Sequence, residues 1–250
     1  KYRNGIVRFS SVSSNITYGL QDISISGGTL QMGSVADHSN NPNLGGFGIY
    51  VDRCQGLELN NISIGPTFFE SIRLVDTDDV GLNHLKVAGA EYTSFFNTAV
   101  RLDNVGKVVF RGGSYQNSLT TPFSTILLSS VGKSEFYGVY ITNKTTAGTA
   151  ISVQTNGTVA AGSYLIVNDC TIDSLSQGIY AQAGAPARII YNNTYFNAPF
   201  PASVTNTTQV SSWGNRGSFT SNTNETVRGT LAVQSTLTAE QNAVVGQNDS

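Results

Sequence analysis

Apolar positions along this chain recur in an octet that reads apolar, any, apolar, polar, small, apolar, any, apolar. It is present as LELNNISI from Leu57, VGLNHLKV from Val80, VVFRGGSY from Val108, SEFYGVYI from Ser134, LIVNDCTI from Leu165 and IIYNNTYF from Ile189. The third position of each octet is an inward anchor, at Leu59, Leu82, Phe110, Phe136, Val167 and Tyr191; subtraction gives spacings of 23, 28, 26, 31 and 24 residues. That period suits one coil of a parallel β-helix. A second register keeps step with the first. The triplets beginning at Ile49, Ile72, Val100, Ile126, Ile151 and Ile179 alternate inward apolar with outward residues, as strands do. The first four of them start ten residues ahead of their anchors.

The pattern therefore predicts an all-β fold, a right-handed single-stranded parallel β-helix of about six to seven coils, occupying residues 1–196. A β-sandwich of hairpins is the alternative, and it would place Asn-Gly or Asp-Gly turns between adjacent strands. Asn4-Gly5 and Asn156-Gly157 are the only such dipeptides. At the start, Val7 and Phe9 alternate, and YGLQDISI from Tyr18 fits the octet with its anchor at Leu20. The excess length before the next coil lies in residues 32–47, MGSVADHSNNPNLGGF, which read as a long surface loop carrying His38. Beyond Phe196 no octet can be placed. Residues 197–226 are expected to be a cap or linker, with Phe200, Trp213 and Phe219 as a lid over the open end of the core. Residues 227–250 alternate again at Leu231, Val233 and Leu237 and suit one strand of a slender trimeric stem.

Composition adjusts this picture in a few places. Of the 250 residues, only 12% are charged, which fits a body of strands and tight turns with little helix. The formal charge of −2 gives no electrostatic basis for binding nucleic acid. No apolar run approaches the roughly 20 residues that span a bilayer, so no membrane insertion is expected. The abrupt start at Lys1 suits a fragment or processed product. Cys54 and Cys170 fall four coils apart, about 19 Å at roughly 4.8 Å per coil, too far for a disulfide. With no CxxC and no paired histidines, neither a metal nor another cofactor is indicated.

Asn60, Asn83, Asn168 and Asn192 share the polar position of the octet, which predicts an asparagine ladder along one bend. The candidate chemistry lies elsewhere. Outward positions of the first strand carry Tyr50 and Asp52, then Arg73, then Arg101 and Asp103, with Asp76 in the following turn. The connections that close the coils bring Phe68 and Glu70, then Glu91 and Tyr92, to the same side, where aromatic rings could stack on sugars. Two carboxyl groups about 5 Å apart, or about 6.5 to 9.5 Å apart, hydrolyse glycosidic bonds. Candidate carboxylates are Asp52, Glu70, Asp76, Glu91 and Asp103; candidate substrate contacts are Tyr50, Arg73, Arg101, Phe68, Tyr92 and His38. Arg73 and Arg101 would clamp a uronate or sialate in forked contacts, or one would act as the base of a lyase. A simple ion-pair ladder of small energetic value is the competing reading.

Coils such as GIYVDRCQGLELNNISI and SIRLVDTDDVGLNHLKV resemble the right-handed β-helix of pectate-lyase-like proteins, and VRGTLAVQSTLTAEQNAVVG resembles the stem strands of bacteriophage tailspikes and tail fibres. The resemblance implies a homotrimeric virion-tail protein, extracellular, meeting other phage tail proteins and a bacterial surface polysaccharide, capsule or lipopolysaccharide. It implies binding and, in many members, depolymerisation of that glycan. The alternative within it is a non-catalytic fibre or adhesin. Polygalacturonases of this fold carry Asn-Thr-Asp, Asp-Asp, Gly-His-Gly and Arg-Ile-Lys blocks. This chain offers Asp76-Thr77-Asp78-Asp79 but neither of the last two, so no catalytic residue is carried over from them.

Overall fold

A computed structural model describes residues 3–10, 20–30, 45–65, 67, 70–89, 98–117, 123–155, 162–182, 188–204, 209–213, 216–218 and 225–227, the strands at either end by backbone alone. Every regular element among them is a strand, and every pairing is parallel to the strand one coil away. The fold is an all-β parallel solenoid.

Each coil contributes to three faces. The first-sheet face stacks Gly45–Asp52, the start of Ile72–Asn83, Val100–Val105, Ile126–Ser129, Thr149–Gln154 and Gln177–Ala181. The second-sheet face stacks Cys54–Asn60, the end of Ile72–Asn83, Lys107–Arg111, Lys133–Tyr137, Tyr164–Asn168 and Arg188–Asn192. Because Ile72–Asn83 runs unbroken through both, the two faces join into one 16-stranded sheet, while the third face forms a separate 8-stranded sheet.

Both sequence registers are realised residue for residue. Leu59, Leu82, Phe110, Phe136, Val167 and Tyr191 stand opposite one another from coil to coil, as do Ile49, Ile72, Val100, Ile126, Ile151 and Ile179. These columns are the core, and the second column is 0% exposed throughout. Each fully buried side chain of this size contributes about 1.5 to 3 kcal/mol. Phe110 and Phe136 stack at 4.2 Å with rings 10° apart, and Tyr115 meets Phe110 edge-on at 5.5 Å. One expected register shifts. Leu20 pairs with Cys54, and Ile25 is the residue opposite Leu59, so the anchor of the opening coil lies five residues later than the octet placed it. The apolar alternation of Leu20, Ile23 and Ile25 fits two alignments, and the strand chooses the one that puts Ile23 over Leu57 and Ile25 over Leu59.

Past Phe196 the coils continue after their sequence signature fades. Phe200–Val204 pairs with Gln177–Ala181, Gln209–Trp213 with Arg188–Asn192, and Arg216–Ser218 with Tyr195–Asn197. The stem segment beyond Val227 and the side chains of the expected lid lie outside the described residues.

The bend from the second to the third sheet uses the asparagine ladder, in two pieces. Asn83 Nδ2 donates to Asn60 Oδ1 at 2.8 Å, and Asn192 Nδ2 to Asn168 Oδ1 at 3.1 Å. Arg111 and Tyr137 occupy the intervening rungs, and Arg111 Nη1 donates to Asn83 Oδ1 at 3.2 Å. The left-handed backbone falls one residue after the ladder, at Asn61, His84, Gly112, Gly138, Asp169 and Asn193. Asn, Asp and Gly tolerate that conformation best. At Gly112 the fit is tight as well as left-handed, since a Cβ there would lie 2.4 Å from His84 Nδ1. Cys54 and Cys170 are both buried and carry no disulfide; burial pushes the Cys170 thiol up to about 11.

Candidate active site on the first-sheet face

Alternation along each strand of the first-sheet face sends every second residue outward. The register therefore builds columns. Tyr50, Arg73, Arg101, Leu127 and Ser152 form one, and Asp52, Val75, Asp103 and Ser129 the next. Arg73 and Arg101 are thus forced side by side, at about 4.8 Å between strands. Two guanidiniums at that spacing repel unless carboxylates lie between them, and carboxylates do.

Glu70 lies two residues ahead of the strand that carries Arg73, in a segment held by Thr67 and Ser71. Their hydroxyls lie 3.0 Å apart, Ser71 Oγ donates to the Ala88 carbonyl, and the Ser71 carbonyl accepts from Ile49 N–H at 2.9 Å. Glu70 is left only 2% exposed. Its Oε1 accepts from Arg73 Nη1 at 3.1 Å and lies 3.6 Å from Arg101 Nη1. Asp103 closes the other side: its Oδ2 touches Arg73 Nη2 and sits 3.2 Å from Arg101 Nε. Each arginine thus contacts both carboxyl groups, and the quartet is neutral when both are ionised. Burial raises the Glu70 carboxyl above its ordinary range; a backbone hydrogen bond and the two arginines pull the other way without cancelling it.

The remaining sequence candidates spread out from this cluster. Asp52 stands two strands from Asp103, with Val75 between them, and pairs with the adjacent Arg53 at 3.2 Å. Asp76 turns away: it occupies the left-handed bend at φ 49°, and Asn104 Nδ2 donates to its Oδ1 at 2.6 Å. Val75, not Asp76, is the residue opposite Asp103. Tyr50 lies half-buried over Arg73. His38, Phe68, Glu91 and Tyr92 lie outside the described residues. No group of metal-ligating side chains occurs among the described residues, and no helix among them is long and apolar enough to cross a membrane.

Reading the sequence for function overlooked the second-sheet face. The residue preceding each octet, from Asp79 onward, is Lys107, Lys133, Tyr164 and Arg188, and the register aligns all of them in one column. The aligned octets contained this signal one position to the left of where the pattern begins. Comparison with family models, curated proteins and solved structures finds no match to this chain.

Proposed function

We propose that this chain is the β-helical body of a viral tailspike that binds a bacterial surface polysaccharide and hydrolyses its glycosidic bonds at the first-sheet face. The observation that carries this reading is the Glu70 and Asp103 pair, two carboxyl groups on the two ends of one guanidinium. Groups so placed can flank a single glycosidic bond, for which separations of about 5 to 9.5 Å serve. Their environments differ in the sense the reaction needs. Glu70, raised by burial, is the acid that protonates the leaving oxygen, and Asp103, more open and facing both arginines, is the carboxylate partner. Homotrimeric assembly, a place in the virion tail beside other tail proteins, and an extracellular location belong to the same proposal.

A second reading has an observation of its own. Because Arg73 and Arg101 are already neutralised by Glu70 and Asp103, neither is available to clamp a uronate, and the quartet suits a purely structural role in a non-catalytic fibre. Incubation with capsular and lipopolysaccharide glycans, followed by assay for new reducing ends, separates the two. Hydrolysis by the wild type that disappears in both Glu70→Gln and Asp103→Asn, with circular dichroism unchanged, supports the enzyme. A glycan that binds tightly and is never cut supports the fibre.

A further inference from the structure

The cations of the first-sheet face are spent on their own carboxylates, and those of the second-sheet face are not. On the strands from Lys107–Arg111 to Arg188–Asn192 the outward column holds Lys107, Lys133 and Arg188, with Arg111 at the far edge. Arg111, Lys133 and Arg188 are exposed, and neither Lys133 nor Arg188 has an ion-pair partner among the described residues. Lys107 reaches Asp79 only at 3.9 Å, with both side chains open to water.

Besides Asp79 at the Lys107 end, Glu135 lies among these cations, and it is held in place. Glu135 Oε2 accepts from the Tyr137 hydroxyl at 3.0 Å and Oε1 from the Tyr164 hydroxyl at 2.7 Å. On these four strands the other members of the central outward column, Val109, Ile166 and Ile190, form an apolar floor, and Gly81 and Glu58 continue the column on the two coils before. An ionised carboxylate has acceptor sites left after two such bonds.

We propose that the second-sheet face binds an acidic polysaccharide lying along the solenoid axis, its carboxylates on Lys133 and Arg188 and its hydroxyls on Glu135. Lys133 and Arg188 stand two strands apart with Tyr164 between them, roughly 9 to 10 Å, so successive acidic sugars can meet successive cations. Sugar C–H faces cover the Ile166 and Ile190 floor. A nucleic acid fits less well: Glu135 would oppose its dense phosphates, and both tyrosine hydroxyls are tied to that carboxylate rather than leaving the rings as stacking platforms. This site is separate from the first-sheet carboxyl pair and does not depend on hydrolysis there.

The test is affinity electrophoresis of the Glu70→Gln chain, so that cleavage plays no part, through gels containing polygalacturonate, polysialate or neutral dextran. The expected result is retardation by at least one acidic glycan and none by dextran, weakened by added salt. In Lys133→Gln/Arg188→Gln the apparent affinity falls about tenfold, while Lys86→Gln on the third sheet changes nothing. Dextran binding as well as the acidic glycans overturns the proposal. So does undiminished binding by the double variant, absence of binding to either acidic glycan, or tighter binding of a single-stranded oligodeoxynucleotide of matched charge.

Discussion

Two faces of this solenoid carry cations on adjacent coils, with opposite outcomes. On the first-sheet face Arg73 and Arg101 share a column, and Glu70 and Asp103 sink between them until all the charges are satisfied and mostly out of water. On the second-sheet face Lys107 and Lys133 share a column just as closely, with Arg188 two strands beyond Lys133, and Lys133 and Arg188 remain exposed with no ion-pair partner among the described residues. The lesson is that in a parallel stack the placement of a carboxylate beside like charges, here Glu70 from a connection and Asp103 from the next column, decides whether they are neutralised internally or left for a ligand. Lys107 and Lys133 are also on adjacent coils, but among the described residues no buried carboxylate lies between them and both stay open to water.

The largest effect expected from this contrast is at Asp103. Asp103→Asn removes a charge that both arginines contact and leaves Glu70 to balance two guanidiniums. Removing one partner of a buried pair costs about 3 to 5 kcal/mol, and the partial exposure of this cluster places the loss near about 3 kcal/mol by urea denaturation. A loss within about 0.5 kcal/mol, the size of an ordinary surface substitution, would make the first-sheet cluster no different from the second. Next comes Glu135→Gln, which weakens two hydroxyl-to-carboxylate bonds on the second face and is expected to cost about 1 kcal/mol. The Tyr164 phenol, pushed up to about 12 chiefly by its hydrogen bond to Glu135, should titrate at lower pH in that variant by ultraviolet absorbance.

How much of this was legible in the sequence differs between the faces. The octet anchors and the triplet register gave the core and the stacking order, because burial leaves a hydrophobic period that composition cannot hide. The position of Arg73 over Arg101 followed from the same register. What the sequence lacked was depth: nothing in it says that Glu70, in a connection of variable length, is the residue that folds back to 2% exposure. Asp76 illustrates the converse. Its neighbours Val75 and Thr77 are in strand register with Asp103 and Val105, yet a single left-handed residue between them carries Asp76 out of the cluster. The basic column on the second face was readable from the aligned octets, but a net charge of −2 averages it away.

A smaller effect separates the faces by pH. Burial raises the folded-state value of Glu70, so folding favours its protonated form. The stability this contributes is fully present below the ordinary value of 4.5 and is lost as pH rises through the raised one. Wild type should therefore lose stability relative to Glu70→Gln as pH rises from 4.5 through the raised value, as read from paired urea midpoints. A constant difference across that range would mean that the arginines cancel burial completely.

The central claim, that first-sheet cations are bound internally and second-sheet cations are not, is tested most directly by chemical denaturation of Arg73→Gln beside Lys133→Gln. Loss of Arg73 strands Glu70 and Asp103 against Arg101 alone and should lower the unfolding free energy by about 3 kcal/mol. Loss of Lys133 should leave it within about 0.5 kcal/mol of wild type. Equal shifts in the two variants, or a larger one at Lys133, would contradict the account.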